Sequence, residues 1–161
     1  MKKTVTVTTP SDLEIAVTRE FDAPRHLVWE AHTKPELLKR WAAGPPGWDM
    51  AVCEMDFRVG GAWHWVLRGP GGAEMRLHGV HTEIVVGERV SRTEVFEPAW
   101  YSGEAITTMA LKERGGKTTL TLTILHISKE VRDAALKFPM AEGMAAGYDK
   151  LDELLLHAVG T

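Results

Sequence analysis

The side chains with most chemistry to offer in this 161-residue chain are seven histidines, one cysteine and six tryptophans. A histidine cluster would suggest a metal, but the one close pair, His78 and His81, is three apart. On a strand that spacing puts the rings on opposite faces, where they cannot chelate together. There is no HExxH, and Cys53 has no second cysteine, so neither a metal site nor a cofactor is expected. His81 alone shares strand parity with Met75, Leu77 and Gly79, the side read as inward. An inward histidine is either a hydrogen-bonded core residue or an acid or base poised near neutral pH. It is the weak candidate for catalysis. A nucleophilic Cys53 would need a nearby base and an exposed, low-pKa setting, and a small apolar filler is the better reading.

The tryptophans carry a different chemistry. In "FRVGGAWHWVLR", Trp63, Trp65 and Leu67 alternate with His64, Val66 and Arg68, so both indoles fall on one face. Large aromatic rings on an inward face either fill a core or form the stacking wall of a pocket for a flat ligand. Tryptophan outnumbers phenylalanine six to four, with only two tyrosines. Trp48 and Trp100 sit in loop sequence, where core packing explains them less well. They are expected at a pocket mouth. The chain contains no Asn and no Gln. Polar contacts to a ligand must therefore come from His, Trp, Tyr, Ser, Thr, a charged group or the backbone.

The elements that hold these side chains follow from periodicity. Residues 12–20 alternate, with Leu13, Ile15 and Val17 on one side, as in a half-buried strand. Pro24 and Pro35 each suit the first turn of a short helix, and "AAGPPGW" closes the second. From Met50 the pattern is strands. "MAVCEMDF" places Cys53, Met55 and Phe57 on one face, with Glu54 and Asp56 on the solvated one. Gly60-Gly61 reads as a bulge or bend. "EMRLHGVHTEIVV" and "RVSRTEVF" follow, and "RGGK" joins two further strands as a hairpin. Arg92 and Glu94 share a face and could pair inside the cavity, though an exposed pair is the first expectation. Ser128 can cap a short helix, and "AEGMAAGYDKLDELLLHAV" runs as a long one whose apolar stripe includes Met144, Tyr148, Leu151 and Leu155. Gly143 and Gly147 weaken that helix by about 1 kcal/mol each relative to alanine. Either close packing or room for a ligand should offset this.

The predicted order is a strand, two short helices, six antiparallel strands and a long C-terminal helix. It implies an α+β helix-grip fold, a curved antiparallel sheet wrapped around that last helix. Residues 1–161 read as a single domain, with 1–11 a flexible or edge N-terminal segment. The segments "REFDAPRHLVWEAHTKPELLKRW", "CEMDFRVGGAWHWVLRGPGG", "HGVHTEIVVGERV" and "EGMAAGYDKLDELL" resemble the START-like superfamily, also called SRPBCC or Bet v allergen-like. Within it the chain is similar to bacterial proteins named for the C-terminal domain of heat-shock-protein-ninety ATPase activators. The resemblance implies the same helix-grip fold. It implies no catalytic set, because carriers, cyclases, hydrolases and co-chaperones share this architecture.

Net charge is −3 and no Lys or Arg stripe appears, which disfavours nucleic acid. No apolar run reaches membrane-spanning length, no secretory signal opens the chain, and a lone cysteine suits a reducing cytoplasm. The expected function is binding of a small hydrophobic molecule, aromatic or lipid-like, between sheet and helix. The expected ligand-binding residues are Trp41, Trp48, Phe57, Trp63, Trp65, Met75, Leu77, His81, Met109, Leu122, Met144 and Tyr148. An enzyme of cyclase or hydrolase type using the same cavity is one alternative. A chaperone-interacting protein is another, driven by exposed Pro45, Pro46, Trp48 and Trp100. Edge strands leave a homodimer open.

Overall fold

A computed structural model describes residues 5–43, 46–99, 101–138 and 140–159, the side chains of Met140 and Val159 aside. In chain order the described elements are β1 (Thr6–Thr8), β2 (Glu14–Phe21), α1 (Arg25–Thr33), α2 (Pro35–Trp41), β3 (Asp49–Met55), β4 (Ala62–Arg68), β5 (Glu74–Val85), β6 (Arg89–Glu97), β7 (Ala105–Arg114), β8 (Lys117–Leu125), α3 (Lys129–Leu136) and α4 (Met140–Val159). The strands form one curved open antiparallel sheet in the order β1-β2-β8-β7-β6-β5-β4-β3. This is the helix-grip architecture. Strands β3 to β8 are a meander, each pairing with the next. The chain enters from the far side, β2 pairing with β8, and α1 and α2 bridge from β2 to β3. β1 and β3 are the two edges.

Local chemistry sets the boundaries. Pro24, extended at φ −68° and ψ 154°, is the N-cap of α1, and Pro35 occupies the first turn of α2, where no N–H is needed. Ser128 caps α3, its hydroxyl accepting from the Val131 N–H at 3.1 Å. Gly115 and Gly116, both at positive φ (59° and 77°), make the two-residue turn between β7 and β8. Two sequence expectations shift. The first long strand begins at Glu14, so Leu13 lies before it and is exposed. Strand β3 ends at Met55, so Phe57 belongs to the β3–β4 loop. The Gly60-Gly61 pair closes that loop and is not a bulge within a strand. A side chain on Gly61 would collide with the Asp56 carbonyl, about where the loop folds back on itself. The loop is tied to β5 by Gly60 N–H donating to the His81 carbonyl (2.8 Å) and His81 N–H donating to the Gly61 carbonyl (2.9 Å).

Strand register collects the concave face. Trp65 lies between Cys53 and Leu77, Leu77 opposite Phe96, and His81 opposite Arg92. Farther along the sheet, Val90 faces Met109, Met109 faces Leu122, and Leu122 faces Val17. Because side chains alternate with period two, these residues project to one side. Helix α4 covers it, burying Tyr148, Leu151 and Leu155. Gly147 is buried where α4 passes α2. A Cβ there would sit 3.4 Å from the Trp41 carbonyl, an ordinary contact, so the glycine permits the approach without being forced by it.

Candidate functional site: the aromatic concave face

The tryptophans divide into two kinds. Trp63 is 2% exposed. Its strand partner is Gly79, where a Cβ would fall 1.9 Å from the Thr93 carbonyl. The missing side chain lets that carbonyl come close, and Trp63 Nε1–H donates to it at 3.0 Å. Trp63 is therefore core and brace together. Trp65 packs edge-on against it, with ring centroids 4.8 Å apart, but remains half-buried. Its buried Nε1–H has no acceptor among the described residues. Trp41 is a helix brace. Its Nε1–H donates to the Ala31 carbonyl at 2.9 Å, and its ring stacks on Tyr148. Trp48 is half-buried against Gly69 at the far end of the sheet, where a Cβ on Gly69 would meet the indole at 2.3 Å. Trp100 and Pro45 lie outside the described residues, and Pro46 is exposed.

The other expected residues fall on or around the same face. Leu77 and Met109 are buried; Met75, Leu122 and, on α4, Met144 are half-buried. Phe57, though in a loop, is also half-buried and packs between Trp29 (6.0 Å) and His81 (5.3 Å). The concave-face residues Trp65 and Leu122 keep accessible surface although each is paired with a strand on both sides. Two open depressions, of about 380 and 310 Å³, lie elsewhere, one beside α3 and one between α1, α2 and the end of α4. Neither is lined by Trp63 or Trp65.

Polar groups on this face define its chemistry. His81 is 1% exposed, and its Nδ1 lies 3.0 Å from the Gly61 carbonyl. A carbonyl only accepts, so Nδ1 carries the proton and Nε2 presents a buried lone pair without a partner among the described residues. Burial, then the Arg92 charge, pushes the His81 pKa down, which keeps the ring neutral. Arg92 and Glu94, expected on the surface, point inward. Arg92 is 8% exposed, its guanidinium 5.5 Å from the centroids of both Trp63 and Trp65. The inward parity with Val90 and Phe96 overrides the preference of charge for solvent. Burial lowers the Arg92 pKa to about 10, against the opposing pull of Glu94, so it remains a cation at neutral pH. Burial raises that of Glu94, whose Oε1 accepts from the Tyr101 hydroxyl at 2.9 Å. Tyr101, from the β6–β7 loop, carried no sequence signal. Cys53 is half-buried, and burial lifts its thiol to about 11, so it is no nucleophile. Among the described residues no three His, Cys, Asp or Glu side chains converge as a metal site. No described helix is long and apolar enough to cross a membrane.

Buried neutral histidines make the fold acid-sensitive. The His32 pKa is lowered to about 4, chiefly by burial, and burial also lowers those of His81 and His126. In the unfolded chain each titrates near 6.5, so acid favours unfolding. Stability is fully present above pH about 6.5 and is lost as pH falls toward 4. His32 contributes at most about 3 kcal/mol of that loss, since the residue is only half-buried. Glu94, with its raised pKa, works in the opposite sense. Thermal melts from pH 7.5 to 4 should show the decline, and His32→Leu should flatten it; a melting temperature independent of pH would contradict the burial of neutral rings.

Solved structures share the fold. The crystal structure of a Rhodobacter sphaeroides protein superposes with a TM-score of 0.90 at 28% identity, over 96% of this chain and 99% of that one. Protein Ms6760 from Mycobacterium smegmatis does so with a TM-score of 0.83 at 25% identity, over 96% and 99%. An AHSA1 protein from Silicibacter pomeroyi, 18% identical, shares the fold with a TM-score of 0.71 over 90% and 99%. No curated protein matches the chain. Residues 22–156, from the end of β2 through the helix that closes the concave face, match the family model described as activator of Hsp90 ATPase homolog 1-like protein, and the chain belongs to that family.

Proposed function

We propose that the space between the concave face and α4 binds a small hydrophobic molecule, aromatic or lipid-like. The observation that carries this reading is the residual exposure of Trp65 and Leu122, each with a paired strand on both sides. A surrounded strand residue on a covered face keeps accessible surface only where the packing above it is incomplete. The lining has the mixed character of ligand pockets, largely apolar with a few convergent polar groups. Met144 on the covering helix adds an adaptable surface.

The test uses the neutral fluorescent probe N-phenyl-1-naphthylamine. Wild-type protein should enhance its emission and saturate. Trp65→Ala should weaken binding about tenfold, the effect of losing an aromatic wall. Leu122→Trp should abolish binding while changing stability by less than about 1 kcal/mol, because it fills open space. In a solid core the added ring would cost 1–3 kcal/mol by overpacking. Absence of probe binding together with such a cost would overturn the reading.

A second reading, an enzyme acting on a molecule in the same space, draws on His81. Its Nδ1 is held by Gly61, leaving Nε2 as a proton acceptor on the concave face. His81→Phe retaining full turnover of an identified substrate would remove it. The chaperone reading draws on the family alone. Of its expected apolar drivers, Trp48 is half-buried against Gly69, leaving Pro46 as the exposed one among the described residues.

A further inference from the structure

We propose that Arg92 is a head-group anchor and that the ligand is a monoanionic amphiphile: a carboxylate on an apolar aromatic or aliphatic body. The inference rests on the cavity reading above and specifies its chemistry.

Arg92 is a cation more than nine-tenths buried at the centre of an eight-stranded sheet. A guanidinium has five N–H donors, yet among the described residues none makes a hydrogen bond or an ion pair. Its contacts are the faces of Trp63 and Trp65, which attract a cation but accept no conventional hydrogen bond from it. The natural partner, Glu94, is two residues along the same strand and is engaged instead by the Tyr101 hydroxyl. Glu94 attracts Arg92 only at a distance, and a buried charge without a direct partner is expensive; proteins pair such groups or use them on ligands.

Two further orphans lie beside it. Trp65, whose ring faces the guanidinium, has a buried N–H without an acceptor among the described residues. His81, directly opposite Arg92 in the β5–β6 register, has an Nε2 without a hydrogen-bond partner among the described residues. Arginine fork and indole N–H together suit a carboxylate, which accepts from several donors at once. The imidazole lone pair suits a hydroxyl or a second polar hydrogen next to it.

The charge count sets the class. Arg92 brings one positive charge, which a monoanion balances, and a phosphate dianion would leave excess charge in an apolar chamber. Thr107 stands opposite Arg92 on β7, beside the head group, while the partly buried Phe57, Leu122 and Met144 packed against the core are apolar, so the body is apolar.

The experiment is calorimetric titration of wild-type protein with two matched pairs, 2-naphthoate against 2-naphthamide and decanoate against decanamide. Each pair keeps its body and changes its charge. At least one acid should bind tenfold or more tighter than its amide, and the better pair identifies an aromatic or aliphatic body. Arg92→Met, which keeps length and removes charge, should abolish that preference and leave amide affinity within about threefold. Equal binding of acid and amide in wild type would overturn the anchor while leaving the cavity reading standing. Binding of none of the four would overturn the cavity reading and the anchor with it. The wild-type comparison decides even if Arg92→Met fails to fold.

Discussion

Trp63→Ala is expected to destabilise the protein by about 3–5 kcal/mol, the range for truncating a fully buried tryptophan, whereas Trp65→Ala should cost less than half as much. The two indoles are neighbours in sequence and share a face, yet their surroundings differ. Trp63 is sealed, and its N–H holds the Thr93 carbonyl that Gly79 allows to approach. Truncation would leave a large void and a buried carbonyl without its donor. Trp65 is only half-buried, and its own N–H lacks an acceptor among the described residues, so truncation removes an unsatisfied group along with the ring. Chemical denaturation of both variants measures the difference. Trp63→Phe, which keeps an aromatic ring and loses the hydrogen bond, should fall between them. Comparable losses at the two positions would mean that Trp65 is core, and the pocket wall would disappear with that result.

The same pair shows what the sequence made legible. Strand periodicity alone put Trp63, Trp65, Leu77 and His81 on one face, because a strand in register has no freedom to place alternate residues elsewhere. Arginine and glutamate defeated that reasoning at Arg92 and Glu94. Their parity with Val90 and Phe96 pointed inward, but charge argued for solvent, and alternation won because reversing it would have turned Val90 and Phe96 outward. The roles within the face were not legible. Whether an indole is sealed or open depends on what arrives from distant segments, such as Thr93 past Gly79 or Tyr101 from a loop. Phe57 illustrates the limit at element ends. It reached the expected neighbourhood beside His81, but through a loop closed by Gly61, which no alternation pattern describes.

Arg19 is the strand residue whose inward parity, with Ile15, Val17 and Phe21, has the largest electrostatic consequence. It is 2% exposed on β2, and Nη2 meets Asp149 Oδ1 at 3.1 Å and Asp152 Oδ2 at 3.6 Å. Those aspartates are three apart on α4, so one helix face presents both. Nε and Nη1 are buried without partners among the described residues, and the guanidinium lies 5.4 Å from the centre of the Phe21 ring. The aspartates reach solvent; the arginine does not. The pair is therefore asymmetric. Asp149→Ala/Asp152→Ala should destabilise by about 3–5 kcal/mol, because it leaves a buried cation uncompensated. Arg19→Met should cost only about 1–2 kcal/mol, since the carboxylates it releases can hydrate. Combining all three changes should recover most of the loss, a coupling that a thermodynamic cycle measures directly. Additive losses would show that the network contributes through packing alone. The outcome bears on function through α4, which this cluster pins to β2 and which buries Tyr148, Leu151 and Leu155 on the concave side. In the aspartate double variant, amide exchange should quicken along α4 before it does in the central strands, because the cover loosens while the sheet holds.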